Sequence, residues 1–177
     1  IRQCETIMSE KFWYVIYTKP RSEKKLKSEI EDMNIETFLP CINTKKQWSD
    51  RLKYIETPLF PSYLFVKINY KEDSLNILKR ANSVAFLFNE GKPAILEESE
   101  IELIKLFILE YPNKIKLEEL EKIKIGNEVE IKKGVFAGRK GIIEKIKNKA
   151  FLILKINSLN KILKVEIKIQ DLGLESI

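Results

Sequence analysis

The stretch Thr57 to Lys67 constrains the fold most, setting three aromatics, three aliphatics and two prolines within eleven residues. Leu64, Phe65 and Val66 read as a short strand, because β-branched and aromatic side chains suit a pleated, half-buried surface. Pro61 has no N–H for a ladder, which confines Phe60-Pro61 to the strand's start or to a sheet edge. Two readings follow. Either this is a core strand with a proline-stiffened lead-in turn, or Phe60 and Tyr63 flank a rigid bend that presents aromatic faces to a partner.

A chain of 177 residues allows one domain or two small ones. Its net charge of +6 is unevenly placed: residues 1–110 hold 17 Lys/Arg against 17 Asp/Glu, and residues 111–177 hold 15 against 9. The excess therefore lies in the C-terminal third, and only local patches of the first 110 residues could serve nucleic acid. There is no histidine, and Cys4 and Cys41 stand far apart. Histidine acid/base or triad chemistry and a Cys/His zinc framework are thereby excluded, and no cofactor is implied. A reducing compartment fits the two cysteines better than a structural disulfide. No apolar run reaches membrane length and no signal-like segment opens the chain, so a cytoplasmic protein away from membranes is expected; a monomer is expected too, though nothing in the residues fixes the oligomeric state. Residues 1–7 lack any pattern and read as upstream of a natural start at Met8.

Phe12 to Thr18 is strongly β-prone and is predicted to be a central strand. Pro20 suits a first helical residue, and Leu26, Ile30 and Met33 then define an amphipathic helix ending near Asn34. Its start is basic (Lys19, Arg21, Lys24, Lys25, Lys27), opposed only by Glu23. That run is either a solvated face or, because cations at a helix start oppose the macrodipole, a site for an external anion. Thr37 to Cys41 is predicted as a strand and Asn43 to Lys53 as a polar, basic loop holding Trp48. That Trp either folds onto its own domain or meets a base or a protein. Leu52–Glu56 and Ser62–Ile68 read as paired strands. Ser74–Arg80 reads as a helix with Leu75 and Leu78 inward, Val84–Phe88 as a strand, and Gly91-Lys92-Pro93 as a turn. Glu97–Glu110 reads as a broadly apolar helix with an acidic first turn. This order suits an α/β sandwich with helices against a mainly antiparallel sheet over 11–111. A charged linker over 112–124 follows, then short strands and tight turns over 125–177 that describe a small β-barrel.

Gly126-Asn-Glu-Val129-Glu-Ile131-Lys-Lys-Gly134-Val-Phe136-Ala-Gly138-Arg-Lys-Gly141 resembles a KOW motif. Its glycines are expected to supply positive φ in tight turns, with Phe136 plugging the barrel. Trp13-Tyr14-Val15 and Phe60-Pro61-Ser62-Tyr63-Leu64-Phe65-Val66 resemble the hallmark segments of the NusG N-terminal domain. Together they identify an α+β protein, an NGN-type sandwich followed by an SH3-like KOW barrel. Pro58 to Val66, Tyr17-Thr18-Lys19 and Gln47-Trp48-Ser49-Asp50-Arg51 resemble the specialised RfaH and UpxY paralogs more than housekeeping NusG.

The resemblance implies a non-enzymatic transcription elongation and antitermination factor, operon-specific in the manner of capsule-operon factors. Tyr17, Phe60, Pro61 and Tyr63, with Phe86 from a neighbouring strand, would line a hollow that docks the clamp helices of the largest RNA polymerase subunit and suppresses pausing. Lys19, Arg21 and Lys24, with Lys79 and Arg80, would read displaced non-template DNA. Asn82 stands where RfaH has a basic residue, so the DNA element should differ. Ser74-Leu75-Asn76-Ile77 departs from the threonine-rich segment that faces the other pincer of the polymerase. Leu159, with Asn160 and Lys161, stands at an expected exposed turn where NusG engages Rho or a small-subunit ribosomal protein. The rival reading is a KOW-type ribosome or RNA-binding module; paired acids such as Glu97/Glu98 lack a nucleophile, which makes an enzyme a poor third. RfaH hides its KOW domain as a helical hairpin. Here Gly134, Gly138, Gly141 and the alternating Val165/Ile167/Ile169 favour a flexibly tethered barrel that leaves the Phe60–Tyr63 surface open.

Overall fold

The computed structural model describes residues 10–120 and 126–173, so the expected start at Met8 and the link over 121–125 lie outside the described residues. The strands in chain order are β1 (Phe12–Thr18), β2 (Glu36–Phe38), β3 (Cys41–Gln47), β4 (Leu52–Pro58), β5 (Tyr63–Ile68), β6 (Ser83–Phe86) and β7 (Phe88–Asn89). They continue with β8 (Lys92–Pro93), β9 (Ile95–Leu96), β10 (Lys116–Glu119), β11 (Asn127–Glu130), β12 (Lys140–Ile146), β13 (Lys149–Ile156) and β14 (Lys161–Ile167). The helices are α1 (Glu23–Glu31), α2 (Tyr70–Leu78) and α3 (Glu98–Glu110). Two compact units result: residues up to Leu39 with Pro61–Glu97, and Pro40–Phe60 with the chain from Glu98. The boundary between them does not coincide with the linker expected over 112–124.

In the first unit β1 is the central strand. It pairs antiparallel with β5 on one side and with β6 and β9 on the other, giving the order β2-β5-β1-β6. Its alternation serves two buried faces. Tyr14 and Ile16 join Leu26, Ile30, Leu64, Val66, Ile68 and Ile77 in one core cluster, while Trp13 and Val15 are buried on the opposite face. The first helix starts at Glu23 rather than Pro20, because Arg21 takes a left-handed φ of 61° that a right-handed helix cannot include. The second starts at Tyr70, four residues before the expected Ser74. Asn69 fixes that start: its side chain accepts from the Lys71 N–H, and the Asp73 carboxylate accepts from the Asn69 N–H. The inward face differs from the expected one as well. Ser74 and Ile77 face inward, and Leu75, expected inside, is 68% exposed; Leu78 is exposed as well. Strands β7 and β8 form a hairpin whose two turn residues, Glu90 and Gly91, both have positive φ, as a tight right-twisted hairpin requires.

In the second unit β3 and β4 pair with one another along their whole length. The expected loop over 43–53 is therefore a two-stranded arm, and Leu52–Glu56 pairs with β3 and not with β5. The C-terminal sheet is antiparallel throughout, in the order β10-β14-β13-β12-β11. Lys116–Glu119, expected as linker, is its edge strand. Residues 142–154, whose pattern also fits a helix, are strand on both sides of a turn at Lys147 (φ 54°). Gly134 and Gly138 have φ of 80° and 81°, as the turn reading requires, but Gly141 does not belong with them. It lies in β12, where an added Cβ would come within 2.8 Å of Leu152 Cδ1. Close packing explains that glycine, not a turn. Phe136 is buried against Phe107 (ring centroids 5.6 Å) and stacks on Tyr111 at 6.3 Å and 5°. The Glu100 carboxylate accepts from the Ser158 N–H (3.1 Å) and hydroxyl (2.6 Å). Helix α3 is thus packed on the C-terminal sheet, and at the start of the expected tether the Pro112 carbonyl accepts from the Asn43 N–H.

Candidate functional site

The turn into β5 is built by its hydrogen bonds. Ser62 has a left-handed φ of 62°; its carbonyl accepts from the Thr18 N–H (2.8 Å) and its N–H donates to the Glu23 carboxylate (2.9 Å). Glu23, which reads in sequence as the lone acid among lysines, is turned inward and buried to hold this bend. The β1–β5 register sets Tyr17 opposite Tyr63, and their rings meet edge to face at 5.2 Å and 81°. Both rings are half-buried, and Pro61 beside them is exposed.

Two expected members of this surface are elsewhere. Phe60 is only 1% exposed, so its ring is a core group and not a contact face. Phe86 pairs with Ile16 and packs with Tyr14 and Tyr70 at 6.3 and 5.0 Å, on the helix-covered face of the sheet. The β6 residue opposite Tyr17 is Ala85. A one-residue difference in parity decides which face a side chain serves.

The basic residues named from the sequence are Lys19, Arg21 and Lys24 near the start of α1, and Lys79 and Arg80 after α2; all five are exposed. The fold brings the two segments together. The Asn82 carbonyl accepts from the Lys19 N–H (3.0 Å), while the Asn82 side chain donates to Glu29 in α1 (3.1 Å). Nothing in the spacing signalled this role for Asn82. Lys27, which belonged to the same basic run, is paired with Glu31. That bond, with one from the Thr37 hydroxyl, holds the Glu31 carboxyl below the usual carboxylate range.

Leu159 is a correction. Expected at an exposed turn tip, it is 6% exposed, in a 3-10 turn closed by a left-handed Asn160 (φ 52°) and tethered through Ser158 to Glu100. Asn160 is exposed, and Lys161 is paired with Glu119. Among the described residues no group of three or more Cys, Asp or Glu is placed to hold a metal, and no helix is long and apolar enough to cross a membrane.

Residues 11–105 match the family model described as transcription termination factor NusG. A NusG termination/antitermination protein of Chlamydia trachomatis is 27% identical over 143 residues, covering 76% of this chain and 78% of that protein. Its counterpart in Rickettsia bellii is 26% identical over 168 residues, covering 89% and 86%. Among solved structures, Thermotoga maritima NusG covers 92% of this chain and 96% of its own at 21% identity and a TM-score of 0.56, a likeness of fold. With the family model spanning more than half its length, the chain belongs to the NusG family.

Proposed function

We propose that this chain is a transcription termination/antitermination factor that binds RNA polymerase through the surface around Tyr17, Pro61 and Tyr63. The observation that carries the proposal is the edge-to-face Tyr17–Tyr63 pair beside exposed Pro61, on a bend stiffened by the Ser62–Glu23 bond. Half-buried aromatics on a rigid frame lose little entropy on binding and supply the kind of anchor that dominates interfaces. The partner element is the pair of clamp helices on the largest subunit, and the effect is suppression of pausing. The adjoining segments at Lys19–Lys24 and Lys79–Arg80 face the displaced non-template strand, and the RfaH/UpxY-like sequence from Pro58 to Val66 supports an operon-specific factor over a housekeeping one. A C-terminal partner, Rho or a ribosomal protein, would meet Asn160 rather than the buried Leu159. The test is pull-down of RNA polymerase by the full chain: Tyr63→Ala should weaken capture by about 2 kcal/mol or more while the fold persists. Undiminished capture by the folded variant refutes the docking surface. Recovery of ribosomes instead of polymerase would favour the RNA-binding reading.

A further inference from the structure

The C-terminal sheet carries a cavity of about 600 Å³ that shares no residue with the tyrosine surface. It lies wholly within the second unit, lined by the segment from Tyr111 to Lys116, by β13 and β14, and by the turn that follows β14. That volume is in the range of small-molecule sites, about 300–1,000 Å³. The wall supplied by the sheet is fixed. Lys164 bonds to Glu144, their side chains only 11% and 13% exposed, and the Lys164 Nζ lies 4.8 Å from the centroid of the Phe151 ring.

The other charges of the cavity are unbalanced. Lys116 stands directly opposite Lys164 in the β10–β14 register, and like charges so placed weaken a ladder. Glu144 neutralises Lys164, but Lys116 pairs with no carboxylate among the described residues, and the same holds for Lys114 and Lys168. Of the two acids in the lining, Glu166 is held by Lys149 at 2.8 Å, which leaves Asp171 alone against three cations. Cations converging in a concave site raise the local concentration of anions. A single phosphate would leave two of the three unmatched. The rings of Tyr111 and Phe151 add faces of the kind on which nucleobases stack. Burial, then Glu110 and Asp171, raise the Tyr111 phenol, so it stays protonated and can donate, while Asp171 can accept from hydroxyls. Cations, ring faces and one acceptor within a single cavity match the phosphates, base and ribose of a nucleotide.

We propose that this cavity binds a nucleoside triphosphate, with Lys114, Lys116 and Lys168 on the phosphates, the rings of Tyr111 and Phe151 beside the base, and Asp171 accepting from the ribose. Binding needs neither polymerase nor DNA. The test follows the fluorescence anisotropy of N-methylanthraniloyl-GTP with the full chain, in competition with unlabelled GTP, ATP, GMP and tripolyphosphate. GTP and ATP should compete alike, because every base has a π-face. GMP, with one phosphate, and tripolyphosphate, with no base, should each be at least tenfold weaker. Lys114 and Lys168 lie just outside β10 and β14, so Lys114→Glu/Lys168→Glu should fold, as far-UV circular dichroism would check, and weaken GTP tenfold or more. Lys71→Glu/Lys92→Glu, the same charge change at exposed residues of the first unit, should leave GTP affinity unchanged. Absence of saturable binding overturns the proposal, as does an equal loss in both double variants. Tripolyphosphate equal to GTP would make the cavity an anion patch with no nucleoside site, and the proposal fails. It fails equally if a mixed-sequence RNA 10-mer displaces the probe tenfold better than GTP, since the cavity is then part of an RNA track.

Discussion

Replacing Phe136 by alanine tests the joint between α3 and the C-terminal sheet. The ring is almost fully buried, with Phe107 tilted against it at 5.6 Å and Tyr111 stacked at 6.3 Å. Losing a buried phenylalanine costs about 3–5 kcal/mol, combining lost transfer free energy with the cavity left behind. Against a total stability of about 5–15 kcal/mol, that is a large share. Part of the loss belongs to the ring pair: the Tyr111–Phe136 coupling should be about 0.5–1.5 kcal/mol beyond area. Urea unfolding of the wild type, Phe136→Ala, Tyr111→Ala and the double variant, followed by far-UV circular dichroism, yields both numbers from one cycle. A loss below about 1 kcal/mol for Phe136→Ala, far under the cost of an emptied core position, would refute the seating of this ring. Additive single losses would show that the stack with Tyr111 contributes nothing of its own.

Gly141→Val should cost about 1–3 kcal/mol in urea unfolding through overpacking against Leu152, whereas a neutral result would contradict the 2.8 Å approach. Ile77→Ala should lose about 2–5 kcal/mol and Leu75→Ala almost nothing; the reverse order in thermal melts would restore the other helix phase. Burial, then Glu110 and Asp171, raise the Tyr111 phenol above its ordinary value of 10.0, so the folded state holds this proton more tightly than the unfolded chain does. Its contribution is fully present below about pH 10 and is lost as pH rises through the folded value. Tyr111→Phe should flatten the alkaline fall of stability, and an unchanged profile would argue against that burial.

Much of the frame is local and was legible in the chain. Seven β-prone residues in a row make Phe12–Thr18 the central strand, since a strand buried on both faces needs apolar side chains at nearly every position. Gly134 and Gly138 announce turns because other residues resist positive φ, and the segments around Trp13 and Phe60 were enough to suggest the family. What stayed hidden depends on partners distant in sequence. Phe86 reads like Tyr63 until the β1–β6 register places it with Ile16 on the helix-covered face. Leu159 reads as a surface knob until Glu100, 58 residues away, draws Ser158 in. The basic segments at Lys19 and Arg80 become neighbours only through the Asn82 carbonyl, and Lys45 to Lys53 changes from loop to arm only because Leu52–Pro58 turns back on β3. Propensity and turn chemistry act within a few residues. Parity, burial and the meeting of remote charges are set by which strands pair, and that is decided by the fold as a whole.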